Sequence, residues 1–186
     1  MFKSLILENP FAEKISLTIN IISSPLPGED LPSAARYRRS REVIEILQQA
    51  WTNDFIDYQG EFYSFKLPTE PVMPYQQNGG PLLYFGGYSL DGVDLCARHC
   101  DVYLMWPATI DKLGEQMKLV SEKAAGYGRT IDFGLRLHVI VRESESEARK
   151  APKNLISKLD EKLGTDIRNR ALDAKSYGVS LQSELR

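Results

Sequence analysis

The sequence is short of the residues that most often announce chemistry or location: among 186 residues there are two cysteines, two histidines and two tryptophans. Cys96 and Cys100 lie four apart on an expected helix, which sets their Cβ atoms about 5–6 Å apart against a disulfide optimum near 3.8 Å, so two free thiols are expected. Cys96, His99 and Cys100 together do not have the spacing of a structural zinc site, and no second ligand pair accompanies them; a buried helix face with His99 on its polar, surface side is the reading, and no metal is expected. Charge of one sign is lacking too. With 23 basic and 25 acidic residues the net charge is -2, which gives no global pull toward nucleic acid or an anionic membrane; Arg36, Arg38, Arg39 and Arg41 read as the solvated face of a helix. Apolar runs such as Pro81-Leu82-Leu83-Tyr84-Phe85 are far too short to span a bilayer, and the N-terminus carries Lys3, Glu8 and Glu13 where a signal peptide has an apolar core. A cytoplasmic, single-domain protein with no membrane or nucleic-acid partner is expected; at 42% hydrophobic and 26% charged residues, the chain has an ordinary globular composition.

What is present is an alternation. Residues 1–15 show no clear period, and Ser16–Ser23 reads as a β-branched strand. A loop rich in Pro25, Pro27, Gly28 and Pro32 leads at Ser33 into a helix with Tyr37, Ile44, Leu47 and Trp51 on one face, stopping near Thr52-Asn53-Asp54. Phe55–Tyr58 and Glu61–Phe65 around Gln59-Gly60 predict a hairpin, and Leu67–Pro81, with Pro68, Pro71, Pro74, Gly79 and Gly80, an irregular loop. Leu82–Phe85 is a strand, Gly86-Gly87-Tyr88-Ser89 a tight turn, Leu90–His99 a helix and Asp101–Trp106 the next strand. Thr109 caps a helix bearing Ile110, Leu113, Met117, Val120 and Ala124, which ends at Gly126-Tyr127-Gly128. Ser144 and Glu147 form a capping-box signature for a last long helix with Ala148, Leu155, Leu159 and Leu163 inward, although Pro152 falls in its interior. Four βα units imply an α/β fold with a parallel sheet, doubly wound or barrel-like, and a complete eight-unit barrel needs roughly 200 residues or more.

The stretch Phe133–Glu143 reads as a strand with Leu135, Leu137, Val139 and Val141 on one face and Arg136, His138, Ile140 and Arg142 on the other. Arg136 and His138 then stand on one side, roughly 7 Å apart by the strand rise. Two polar groups in a buried strand need partners. The pattern alone leaves open a structural pair beneath a pocket or a pair facing an anionic ligand.

Tyr84-Phe85-Gly86-Gly87, Asp101-Val102-Tyr103-Leu104-Met105-Trp106 and the run Gly128–Glu143 together resemble the bacterial-luciferase-like flavin monooxygenases, and among them most resemble the alkanesulfonate monooxygenase branch. Arg36-Tyr37 with the helix behind it, and Ala171-Leu172-Asp173-Ala174-Lys175-Ser176, are similar to two further family segments. The likeness runs from about Leu17 to the C-terminus and corresponds to the middle of the family's barrel. It implies a partial TIM-type (β/α)8 barrel with βα units over residues 16–163 and the start of the family's insertion region at 164–186. It also implies reduced FMN (FMNH2) supplied by a separate flavin reductase, O2, and cleavage of the C–S bond of an alkanesulfonate-like anion to aldehyde and sulfite, in a homo-oligomer. By the same resemblance Arg136 and His138 are catalytic, while Gly87, Tyr88 and Ser89, Tyr37 and Asn20 bind the cofactor; Tyr88 stands where the family carries a small residue. A shortened chain acting only as a flavin-binding or orphan barrel fragment that needs a partner is the alternative expectation.

Overall fold

The computed structural model describes residues 16–18, 31–69 and 80–171. Four strands, β1 (Ser16–Thr18), β4 (Leu82–Phe85), β5 (Val102–Met105) and β6 (Asp132–Leu135), form one parallel sheet in the order β1-β4-β5-β6. The expected hairpin stands apart as β2 (Phe55–Gln59) and β3 (Ser64–Pro68). Its return strand begins three residues later than the pattern suggested, because residues 60–63 form the turn, closed by Gly60 N–H donating to Tyr63 O at 2.7 Å. Between the sheet strands run α1 (Ser33–Thr52), α2 (Leu90–His99) and α3 (Ile110–Gly126), each within a residue or so of its expected bounds, with Ser89 and Thr109 accepting from the N–H groups of Gly92 and Lys112 as N-caps. Gly128 closes α3 at φ 68°, the left-handed conformation that glycine adopts without a Cβ clash.

Strands that neighbour in sequence neighbour in space, with no reversal of order, and same-handed crossovers carry their helices to one side. Leu83, Phe85, Tyr103 and Met105 therefore pack with Ile44 of α1, Val93, Leu95 and Cys96 of α2 and Val120 of α3 into a single core. That arrangement is an arc of a singly wound barrel, not a doubly wound sheet. Leu82, Tyr84, Leu104 and Gly134 point to the opposite face, which is only half-covered. Asp101 pins the N-terminal ends of three strands: its carboxylate accepts from Leu83 N at 2.8 Å, its N–H donates to Leu83 O, and its carbonyl accepts from Asp132 N. Arg129 closes the end of α2 by donating to the carbonyls of Arg98 and Cys100, both at 2.9 Å, where cations complement exposed helix carbonyls.

Two expectations fail at the C-terminal end. The strand expected over 133–143 stops at Leu135: β5 leaves the ladder after Met105, whose carbonyl accepts the last bond, from Arg136 N at 3.0 Å, and β6 is the sheet's edge. Residues 136–143 consequently have no strand to pair with among the described residues, and Leu137, Val139 and Val141 are exposed by 55–76%. The single last helix is in fact two, α4 (Glu145–Ile156) and α5 (Glu161–Ala171). The Ser144–Glu147 capping box forms, and Pro152 is carried inside α4. Asp160 then caps a new start by accepting from Leu163 N at 3.0 Å. Leu155, Leu159 and Leu163, expected inward, are exposed; Ala151 is the buried residue of α4.

Candidate functional site

In parallel βα folds, ligands sit at the C-terminal ends of the strands, where the βα turns converge. Here that edge carries Gly86-Gly87-Tyr88-Ser89 after β4, Trp106 after β5 and Arg136 after β6. The turn after β4 is the most built of these. Ser89 is in extended backbone and its Oγ accepts from Gly92 N at 3.2 Å, so its own proton remains free to donate. The N–H groups of Leu90 and Asp91 have no acceptor within their helix. Tyr37 arrives from α1, its ring tilted against Phe85 at 6.5 Å. A methyl group added at Gly92 would stand 3.1 Å from the Tyr37 hydroxyl, 3.1 Å from Ser89 Oγ and 3.1 Å from the Phe85 ring, and one at Gly87 would lie 3.8 Å from the same Tyr37 hydroxyl. Tyr37, Gly87 and Ser89 are thus brought to one place, with two hydroxyl donors and a helix start facing it. This chemistry fits a phosphate held by neutral donors. Nearby cations are engaged elsewhere: Arg38 forms a two-pronged pair with Glu61 at 2.9 and 3.0 Å, and Arg36 donates to Leu31 O at 3.0 Å.

Tyr88, large where a small residue is expected by resemblance, does not project into the cradle. Its ring lies against those of Tyr103 and Trp106, both at 6.3 Å, and its hydroxyl accepts from Trp106 N at 2.8 Å. The side chain is a tether to β5, and burial raises its phenol pKa above the ordinary value. Beneath it Tyr103, fully buried, donates to Gly87 O at 2.7 Å and accepts from Gln116 of α3 at 2.8 Å.

Arg136 and His138 are not buried strand residues. Both lie past the end of β6 and are exposed, and among the described residues neither side chain has a hydrogen-bond or ion-pair partner. They stand beyond the C-terminal end of β6 and not within a buried strand, because among the described residues nothing pairs with the chain after Leu135. Asn20 lies outside the described residues, as does the whole of 172–186.

Cys96 and Cys100 are free and buried, and among the described residues no group of His, Cys, Asp and Glu is placed to hold a metal. His99 is corrected: its side chain is only 11% exposed, with Nε2 3.5 Å from Glu45 Oε1. Burial depresses its pKa to about 4 despite the opposing pull of Glu45, with Arg98, Arg129 and Arg41 adding to the depression. The helix face assigned to solvent is covered by α1, whose Glu45 also accepts from Tyr58 of the hairpin at 2.5 Å. A buried carboxylate was also unanticipated: Glu42 accepts from the N–H groups of Glu61, Phe62 and Tyr63 at 2.6, 2.9 and 3.0 Å. No spacing in the sequence marked it: Glu42 stands five residues from Tyr37 and from Leu47 and two from Ile44, off the helical period of the apolar face.

Comparison with known proteins adds the following. A family model described as luciferase-like monooxygenase matches residues 21–182. A sulfoquinovose monooxygenase of Agrobacterium fabrum (strain C58) is 58% identical over 171 residues, covering 91% of this chain and 44% of that protein. One from Novosphingobium aromaticivorans is 46% identical over 170 residues, covering 91% and 47%. The chain spans about half the length of the curated relatives it matches. Among solved structures, the EDTA monooxygenase of Chelativorans sp. BNC1 superposes with a TM-score of 0.64 at 16% identity, over 71% of this chain and 36% of that one. The oxygenating constituent of 3,6-diketocamphane monooxygenase from Pseudomonas putida, in complex with FMN, gives 0.55 at 18% identity, over 75% and 43%. At such identities the structural likeness speaks to the fold.

Proposed function

The chain belongs to the luciferase-like monooxygenase family, and from that premise we propose that it supplies the phosphate cradle and part of the substrate edge of an FMNH2-dependent monooxygenase that cleaves the C–S bond of an organosulfonate. The observation that carries this reading is the convergence of the Tyr37 and Ser89 hydroxyls on the open start of α2, a donor set suited to the FMN phosphate. Bound there in its reduced form, the flavin supplies the electrons for O2: sulfonate, FMNH2 and O2 yield aldehyde, sulfite, FMN and water. Tyr37 and Ser89 would hold the phosphate by O–H donation, with Gly87 and Tyr88 contributing backbone and Asn20 assigned to the cofactor by resemblance. Arg136 would orient the sulfonate by charge-assisted hydrogen bonds, and His138 would hold or pass a proton at an imidazole nitrogen.

The relatives' names support a sulfonated sugar such as sulfoquinovose over a simple alkanesulfonate as the substrate. A separate flavin reductase is the partner this chemistry requires, and its delivery of reduced flavin supports a cytoplasmic site of action. Among the described residues no helix is long and apolar enough to cross a membrane. The exposed apolar residues Leu137, Val139, Leu159 and Leu163 fit a surface that further barrel strands or a second subunit of a homo-oligomer covers.

The test uses the full-length protein. Flavin fluorescence should be quenched by FMN binding in clear preference to riboflavin, and with a reductase present sulfite should appear from sulfoquinovose faster than from a short alkanesulfonate. Equal binding of FMN and riboflavin, with no sulfite from either sulfonate, rejects the proposal. FMN binding without sulfite would instead favour a non-catalytic flavin-binding role.

A further inference from the structure

The β4–α2 turn is held from behind by a directional chain of polar groups. Gly87's carbonyl can only accept, so the Tyr103 phenol must give it its single proton, over 2.7 Å. With that proton spent, the phenol oxygen is left as an acceptor, and Gln116 must present an amide N–H to it, over 2.8 Å. Orientation is therefore fixed along the whole path from α3 through β5 to the turn, and such chains polarise one another cooperatively. Burial raises the Tyr103 phenol pKa well above its ordinary value, so the donor does not titrate in any working range.

The consequence falls on one peptide plane. In a trans peptide the carbonyl of one residue and the N–H of the next point in opposite directions. Anchoring Gly87 O on Tyr103, toward the core, turns the Tyr88 N–H away from it. A second tie, from Trp106 N to the Tyr88 hydroxyl at 2.8 Å, fixes the following residue on the same strand. Gly87 itself tolerates little displacement, since even a methyl group there would meet the Phe85 ring at 3.0 Å.

We infer that Tyr103 and Gln116 are positioning residues of the phosphate cradle, acting through the Gly87 carbonyl to aim the turn's N–H groups at the FMN phosphate. The inference rests on the reading of the turn as the FMN phosphate site. Neither residue needs to touch the cofactor, which separates their role from that of Ser89 and Tyr37.

The experiment compares Tyr103→Phe and Gln116→Met with the unaltered full-length protein, measuring dissociation constants for oxidised FMN and for riboflavin by fluorescence quenching and thermal midpoints alongside. Riboflavin lacks the phosphate, so the FMN-to-riboflavin affinity ratio isolates the cradle from general damage to the barrel. Tyr103→Phe should weaken FMN roughly tenfold while leaving riboflavin within about twofold, the scale of one lost buried hydrogen bond. Gln116→Met, on a half-buried helix position, should weaken FMN by roughly threefold and keeps the test open should the first variant fold poorly. Parallel weakening of both flavins, or an unchanged ratio in well-folded variants, overturns the inference. An unaltered protein that binds both flavins equally overturns the phosphate-site reading itself, and the inference with it.

Discussion

Strands β4 and β6 are both four residues long, parallel and members of one sheet, yet they live in different environments. β4 has a neighbour on each side and three helices beneath it; Leu83 and Phe85 are 2% and 5% exposed. Among the described residues β6 has one neighbour, and the alternating Leu135, Leu137, Val139 and Val141 that follow from it are 42–76% exposed. The alternation of apolar and polar residues runs from Leu135 to Arg142, interrupted by Ile140, whereas β4 is apolar throughout. Period-two patterning dictates which residues share a face, whereas the burial of that face depends on whether another strand is present to extend the ladder.

The sharpest way to break this contrast is one substitution made twice. Leu83→Ala should cost on the order of 2–5 kcal/mol, as large-to-small changes in a packed core do, while Leu137→Ala in the same chain should move stability by less than about 0.5 kcal/mol, both read from urea unfolding. A large loss at Leu137 would show that the edge is covered in solution. Acid titration probes the covered side next. His99, its folded pKa depressed to about 4 by burial against an ordinary 6.5, takes up a proton more readily when unfolded; stability is therefore complete above about pH 6.5 and declines as pH falls toward 4. The loss should be on the order of 1–3 kcal/mol, and His99→Gln should flatten that part of the profile, measured by thermal melts at closely spaced pH values.

Gly92→Ala tests the cradle with less effect on the fold. The added methyl crowds two hydroxyls at 3.1 Å, so FMN affinity should fall by roughly tenfold or more, while the helix gains about 1 kcal/mol of propensity against the cost of crowding; flavin quenching and a melting curve separate the two. Smallest of all should be Arg38→Ala. Its pair with Glu61 is about half-exposed on both sides, and such pairs contribute little, so the unfolding midpoint should not shift measurably. A clear shift would mean that this rim is less solvated than its exposure indicates.

Much of the fold was legible because its determinants are local. Ser89, Thr109 and Ser144 each precede a helix and each caps it; breakers at Pro32 and Asn53 frame α1; Gly128 marks the left-handed exit from α3. What was not legible depended on residues distant in sequence. His99 lies on the polar arc of its own helix, and only α1, carrying Glu45 across from it, makes it a buried residue. Asp160 signals a helix start that divides the last helix, but the apolar spacing of Leu155, Leu159 and Leu163 runs across the break and masks it. At the candidate site, Gly87, Ser89 and Tyr37 could be read only from resemblance, since a Gly-Gly-x-Ser turn by itself reads as a plain strand-to-helix turn. Tyr103 and Gln116 could not, because a tyrosine in a buried strand and a glutamine on a helix carry no mark of the hydrogen bond between them. Arg136 and His138 were expected inside a buried strand, and they lie exposed beyond its end for the reason β6 itself illustrates.

The two cysteines, silent as chemistry, are informative as a clock. Cys96 and Cys100 are wholly covered by the packing of α2 on the sheet, and the Cys96 thiol, hydrogen-bonded to the Cys100 thiol and buried, is held well above the ordinary thiol pKa, so the native protein withholds both from electrophiles. Alkylation can proceed only when α2 lifts from β4 and β5. Its rate then counts openings of the layer that supports the proposed phosphate cradle, and ligand occupancy of that cradle would be visible as a slowing of a reaction at two sulfur atoms that never meet the ligand.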